Sequence, residues 1–156
     1  MIDDLYSAKI LRLAANLPRA GRLPAPDASA ERVARLCGSR IIVDVKLENG
    51  RIADFAQDVK ACALGQAAAG VLGSAVIGAT PDEIEMARDA FRAMLKTGGA
   101  PPTGRFSDLS MLEPVKDYPQ RHASTLLAFE ATVEACRRAQ AIHEPEAERT
   151  RRAGVA

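Results

Sequence analysis

Two cysteines stand where chemistry could be done: Cys37 in Leu36-Cys37-Gly38-Ser39, and Cys62 in Lys60-Ala61-Cys62-Ala63-Leu64-Gly65. Each falls where a strand-like run gives way to a turn or a helix, so a compact fold could carry both to one exposed end. A thiolate at a helix N-terminus faces unpaired backbone N–H groups and the positive end of the helix dipole. That setting lowers its pKa and makes it a better nucleophile and soft-metal ligand. Cys62 has that place, with Lys60 beside it. The plain alternatives are a small buried hydrophobe for Cys62 and a turn residue of no consequence for Cys37, and spacing alone does not choose. Two thiolates cannot close a tetrahedral site, because zinc and iron-sulfur clusters take about four ligands.

The other candidates are weaker. Cys136 shares an apolar stripe with Leu126, Phe129 and Val133 at i, i+3, i+7 and i+10, which makes it a core residue. His122 precedes that helix, where a ligand could be presented, although a lone histidine is commonly a surface or capping residue. His143 has no partner in sequence and is expected to be solvated. Ser124 and Thr125 suit helix capping, and Ser39 suits turn chemistry. There is no legible Ser-His-Asp arrangement, no glycine-rich phosphate loop after a strand and no paired carboxylates, so hydrolase and kinase readings have nothing to rest on.

The elements that must position these residues follow from periodicity and punctuation. Residues 3–16 place Tyr6, Ile10, Leu13 and Leu17 at helical spacing, and Pro18 ends the run. Residues 19–30, with Gly21, Pro24, Pro26 and Asp27, read as a surface loop. Ile41, Val43, Val45 and Leu47 alternate as a strand, and Asn49-Gly50 predicts a tight hairpin returning over residues 51–59. Val33 to Leu36 is a third strand candidate, with Cys37-Gly38-Ser39 turning between it and the next. After Cys62 the pattern is helical. Thr80-Pro81-Asp82-Glu83 carries an N-cap, a proline at the first helical position and a capping-box glutamate, predicting a helix to about Lys96 that Gly98-Gly99 stops. A proline- and glycine-rich loop and a short segment around Leu109 to Leu112 come before a last helix from about Ser124. Residues 1–143 are expected to form one domain and 144–156 a frayed, charged tail.

The chain has 156 residues, enough for a single core. Lys+Arg 21 against Asp+Glu 20, with few aromatics, leaves neither a basic footprint nor stacking platforms for nucleic acid. Ala61 to Ala79 carries no charge, but it is built of Ala and Gly with Gln66 and Ser74. It therefore reads as a closely packed internal helix and not a membrane span. An acidic N-terminus unlike a secretory leader and three cysteines predict free thiols in a cytoplasmic protein.

The order of these parts resembles the iron-sulfur cluster assembly scaffolds of the NifU N-terminal domain, IscU and SufU type, from about Leu5 to Arg138. It rests on Tyr6-Ser7, Cys37-Gly38-Ser39, Ala61-Cys62 heading a small-residue helix, and Tyr118-Pro119-Gln120-Arg121 before Ala123-Ser124, whose longer spacing is similar to the SufU branch. The resemblance implies an α+β fold, a three-stranded antiparallel sheet with helices packed on it, SufE/NifU-like. It implies a scaffold or carrier for iron or a labile Fe-S cluster, not a turnover enzyme. A cysteine desulfurase and recipient apo-proteins would be its partners. Ser39 stands at the family's aspartate and Ser124 at its third cysteine, so only Cys37 and Cys62 keep the ligand chemistry. A serine hydroxyl is a poor substitute toward zinc or iron. His122, a serine, water or a second protomer could complete the site, and a homo-oligomer stays open. Two other readings remain: a SufU-like, zinc-assisted persulfide acceptor using Cys62, and a degenerate paralogue that keeps only a partner-binding surface.

Overall fold

The computed structural model describes residues 7–143; Tyr6, the acidic start and the expected tail over 144–156 lie outside them. Helix α1 (Ala8–Ala15) opens on Ser7, whose hydroxyl accepts from the Ile10 amide. Strands β1 (Ala28–Ala34), β2 (Ser39–Glu48) and β3 (Arg51–Lys60) follow. Next come α2 (Ala63–Ala75) and α3 (Pro81–Thr97), then 3-10 turns over Gly104–Asp117 and Pro119–Arg121, and finally α4 (His122–His143).

The sheet is an antiparallel meander in the order β1-β2-β3. Ile41, Val43, Val45 and Leu47 are all buried, as their alternation predicts. Asn49 and Gly50 take φ of 53° and 75°, the positive pair that lets a two-residue loop follow the strands' twist. The chain gains one residue between the Lys46–Asp54 and Leu47–Ile52 pairs, which is a bulge just before that turn.

Strand β1 differs from its expected place. It begins at Ala28, inside the expected loop, and ends at Ala34, leaving Arg35 and Leu36 in the turn. Its core-facing residues are Ala30 and Ala34, too small to mark a strand by hydrophobicity. The rest of that loop is tied down by a buried carboxylate. Asp44 of β2 accepts from Arg22 Nε at 2.7 Å, the Leu23 amide at 2.9 Å and Ser29 Oγ at 2.5 Å. Burial pushes the Asp44 pKa up, but the Arg22 guanidinium, Ser29 and the Leu23 amide outweigh it and hold the carboxyl below its ordinary value. Residues 19–21 also pair with β3 through the Gln57 backbone.

Helix α2 is the uncharged small-residue helix, buried over most of its length against α1, α4 and the 3-10 segment. Among the described residues no helix is long and apolar enough to cross a membrane. The capping box at Thr80 and Glu83 forms as predicted, and α3 ends at Gly98 in the left-handed region. Phe129 of α4 packs edge-to-face on Phe91 and Phe106, with ring centroids 5.8 and 5.4 Å away. The last helix starts two residues earlier than expected, and its stripe of Leu126, Phe129, Val133 and Cys136 is buried.

Candidate functional site

Antiparallel pairing decides which ends of the strands meet. Ala34 lies opposite Ser39 and Arg40 opposite Lys60, so the β1–β2 turn and the end of β3 share one edge of the sheet. Cys37 sits in that turn. Gly38 follows it with φ 72°, a conformation costly for a side chain bearing Cβ, and donates its amide to the Ala34 carbonyl at 3.0 Å. Two residues beyond β3, Cys62 is the N-cap of α2 with extended backbone and no capping bond from its sulfur. The thiol is thus free to face another element.

That element is the first turn of α4. Ser124 Oγ lies 3.6 Å from Cys62 Sγ and 3.2 Å from the Arg121 carbonyl. The close approach depends on Gly65: a Cβ there would stand 2.9 Å from the Ser124 carbonyl oxygen and 2.9 Å from Ala61 Cβ. On the other side, Cys37 Sγ lies 3.0 Å from Ser39 Oγ and 3.7 Å from the Ala34 carbonyl oxygen. The Ser39 hydroxyl holds the Cys37 thiol below its ordinary pKa. Burial acts in the opposite sense, and the Ser39 backbone and Ser124 hydroxyl add to the lowering. Cys37 with Ser39 in the β1–β2 turn, and Cys62 with Ser124 beyond the end of β3, therefore lie at the same edge of the sheet. Cys37 is exposed, Cys62 half-buried, and Ser39 and Ser124 are buried.

The remaining sequence candidates fall elsewhere. His122 is buried, and its Nε2 lies 3.0 and 3.2 Å from the Val115 and Lys116 carbonyls. A nitrogen facing two carbonyls must carry the proton, so ligation through Nε2 would break both bonds. Cys136 is buried in the core, where desolvation pushes its thiol up to about 12. Among the described residues no three or more His, Cys, Asp or Glu side chains are grouped closely enough to hold a metal ion. As a donor set the site therefore offers two thiolates flanked by two hydroxyls. That suits a soft metal in kind but supplies half the usual ligand number.

The part that sequence reasoning could not supply is the pairing of particular groups: Ser39 with Cys37, and Ser124 with Cys62. The i, i+2 spacing of Cys37 and Ser39 was the available signal for the first. For the second no local spacing gives a signal; only the family resemblance, which sets Ser124 at the third cysteine, points to it, and the packing of α2 on α4 brings Cys62 and Ser124 together.

Comparison with known proteins bears on this arrangement. Residues 5–125 match the family model described as the NifU-like N terminal domain. The chain is similar to the iron-sulfur cluster assembly scaffold protein IscU of Streptococcus pyogenes serotype M1, with 29% identity over 102 residues, 65% of this chain and 64% of that protein. Thus it spans a little under two thirds of that relative's length. It is also similar to the crystal structure of a nitrogen-fixing NifU-like protein, N-terminal part, from Brucella abortus. Identity there is 50% and the TM-score 0.87, covering 89% of this chain and 96% of that one. A scaffold protein described for the SUF system of Fervidobacterium islandicum AW-1 shares the fold, with TM-score 0.79 at 21% identity over 86% of this chain and 98% of the other.

Proposed function

Because the chain belongs to the NifU-like N-terminal domain family, we propose that it is an iron-sulfur cluster assembly scaffold or carrier that takes iron or a labile cluster as cargo on Cys37 and Cys62. The observation that supports this reading is the placement of those two cysteines, one exposed and one half-buried, at one edge of the sheet, each with a serine hydroxyl beside its sulfur. The cargo is held and handed on, so the protein is a binding and transfer module and not a turnover enzyme. Sulfur comes from a cysteine desulfurase, the product goes to recipient apo-proteins, and the free thiols fit a reducing cytoplasm.

The chain's own residues divide the work. Cys37, in a turn and open to solvent, is the first contact for incoming iron or sulfur. Cys62, held at the head of α2, is the fixed second donor. Ser39, with its hydroxyl 3.0 Å from the Cys37 sulfur, reduces the charge density there when it donates, which weakens the hold of that sulfur and favours release, whereas Ser124 gives its single proton to the Arg121 carbonyl and accepts from the Cys62 thiol. His122 braces the turn before α4 through its two carbonyl partners.

A second reading, acceptance of persulfide sulfur with help from zinc, is favoured by the exposure of Cys37. Its thiolate would attack the outer sulfur of a desulfurase persulfide and release the desulfurase thiolate, moving that sulfur without net oxidation. This moves the acceptor from Cys62, the residue expected from its helix position, to Cys37.

The test is anaerobic purification with iron, sulfide and zinc measured per chain before and after reconstitution, repeated with Cys37→Ala and Cys62→Ala. Iron and sulfide in the wild type, lost in both variants, are expected. No iron or sulfide in the wild type under any loading condition overturns the scaffold reading. Persulfide on Cys37 without bound iron moves the assignment to sulfur transfer, and inertness in both assays leaves a partner-binding module.

A further inference from the structure

Helix α2 is built of small and apolar residues except at Gln66 and Ser74, and both of these donate to backbone carbonyls. Ser74 Oγ bonds the Gly70 carbonyl at 2.8 Å, within the helix. Gln66 reaches backwards out of it: Nε2 donates to the Ala61 carbonyl at 2.8 Å, while the Gln66 backbone amide donates to the Cys62 carbonyl at 2.9 Å. The β3 ladder ends at Lys60 and α2 begins at Ala63, so Ala61 and Cys62 form the joint between them, with Cys62 in extended backbone. The two peptide groups that flank Cys62 are therefore both held by one residue. Because each peptide is planar, fixing the two planes fixes the Cα between them and the direction of its Cβ. Only rotation about χ1 is left to the sulfur. As N-cap, Cys62 makes no capping bond of its own that would add to this hold.

We propose that Gln66 is a positioning residue for cargo binding, aiming the Cys62 thiol by tethering the peptide in front of it. The proposal rests on the cargo reading above and names the residue that sets the direction of its second donor. The backbone half of the hold belongs to any helix at this place. The side-chain half belongs to the glutamine, since an apolar or acidic residue has no proton to give the Ala61 carbonyl. Without that bond α2 remains, but neither strand pairing nor helix bonding holds the Ala61–Cys62 peptide, which is then free to turn and take the sulfur with it. The joint is folded closely on the first turn of α2, as a Cβ at Gly65 would stand 2.9 Å from Ala61 Cβ. Gln66 thus acts through the direction of Cys62 and not through the charge on its sulfur. Side chains that orient a metal ligand from behind typically contribute about 10–100-fold in metal affinity.

Anaerobic titration with cobalt(II), read by its sulfur-to-metal charge-transfer absorbance, tests this together with iodoacetamide alkylation of Cys62 and Cys37 followed by mass mapping. Gln66→Leu keeps the bulk and the helix propensity. Gln66→Glu keeps the shape and places a carboxylate in the first turn of α2, which suits the helix dipole, yet it has no proton to donate at neutral pH. Both variants should bind cobalt about 10-fold or more weakly than the wild type. Both should alkylate faster at Cys62, with the Cys37 rate and the circular dichroism unchanged. Ser74→Ala, which removes the bond at the other end of the same helix, should change none of these. Gln66 variants that hold cobalt and protect Cys62 as the wild type does overturn the positioning role and leave the cargo reading intact. Equal losses in Ser74→Ala overturn it as well, because they assign the effect to the helix as a whole. Wild-type protein that takes up neither cobalt nor, on reconstitution, iron overturns the cargo reading, and the Cys62 alkylation rates then decide the positioning of the thiol by themselves.

Discussion

Gly65→Ala is the substitution in which the fold and the site are most directly coupled. Glycine within a helix costs about 0.8–1 kcal/mol relative to alanine, so on local grounds the change should stabilise. The tertiary structure predicts the opposite sign. The new Cβ would lie 2.9 Å from the Ser124 carbonyl oxygen and 2.9 Å from Ala61 Cβ. Neither neighbour is the far end of a flexible side chain, so relief requires the start of α4 to move away from α2. Overpacking of this kind costs about 1–3 kcal/mol, leaving a net destabilisation of roughly 0–2 kcal/mol after the helix gain. Urea unfolding monitored by circular dichroism reads the midpoint, with an unchanged slope showing that the two end states are comparable. The same displacement takes Ser124 from Cys62, so metal or cluster retention should change more than stability does. Ala61→Gly added to Gly65→Ala removes one contact and should recover part of the stability but not the site. A Gly65→Ala protein that is about 1 kcal/mol more stable than wild type, with cargo retention unaltered, refutes the argument.

Other expectations follow from the same contacts. Alkylation by iodoacetamide near neutral pH should modify Cys37 first and Cys136 last in the folded protein, since one is exposed with a lowered pKa and the other buried with a pKa raised to about 12; mass mapping gives the order. Ser39→Ala removes the principal lowering influence on Cys37 and should shift the pH profile of its alkylation upward. Asp44→Asn should cost about 1–3 kcal/mol at neutral pH through impaired partners for Arg22, Ser29 and the Leu23 amide. Because the folded Asp44 pKa is depressed, its stabilisation is present above the unfolded value of about 4 and is lost as pH falls through the folded value. The variant should therefore show a shallower loss of stability below about pH 4 than the wild type. Phe129→Ala, which removes the ring shared by Phe91 and Phe106, should cost about 3–5 kcal/mol.

Local signals made much of this molecule legible. Alternating β-branched residues, Asn49-Gly50 and the Thr80–Glu83 capping box each act over a few residues, and each forms as read. Strand β1 was displaced because alanines at its buried positions give no hydrophobic contrast. The long run of 3-10 turns from Gly104 was reduced in the sequence reading to a short segment. Its buried Phe106, Leu109, Leu112 and Val115 follow neither strand nor α-helix spacing cleanly. The fastening of the 19–30 loop was hidden because Arg22 and Asp44 are far apart along the chain and meet only across the sheet.

The cysteines divide along the same line. Their types, the turn around Cys37 and the helix start at Cys62 were determined by residues within a few positions of each, because turn and cap chemistry are local. That the Ser124 hydroxyl touches the Cys62 sulfur was decided by the tertiary structure, whereas Ser39 lies two residues from Cys37 along the chain. Antiparallel pairing brings the Cys37 turn beside the end of β3, and the absence of a side chain at Gly65 lets Ser124 approach Cys62. No local rule contains either contact, since each depends on two elements packing at a distance set by a third.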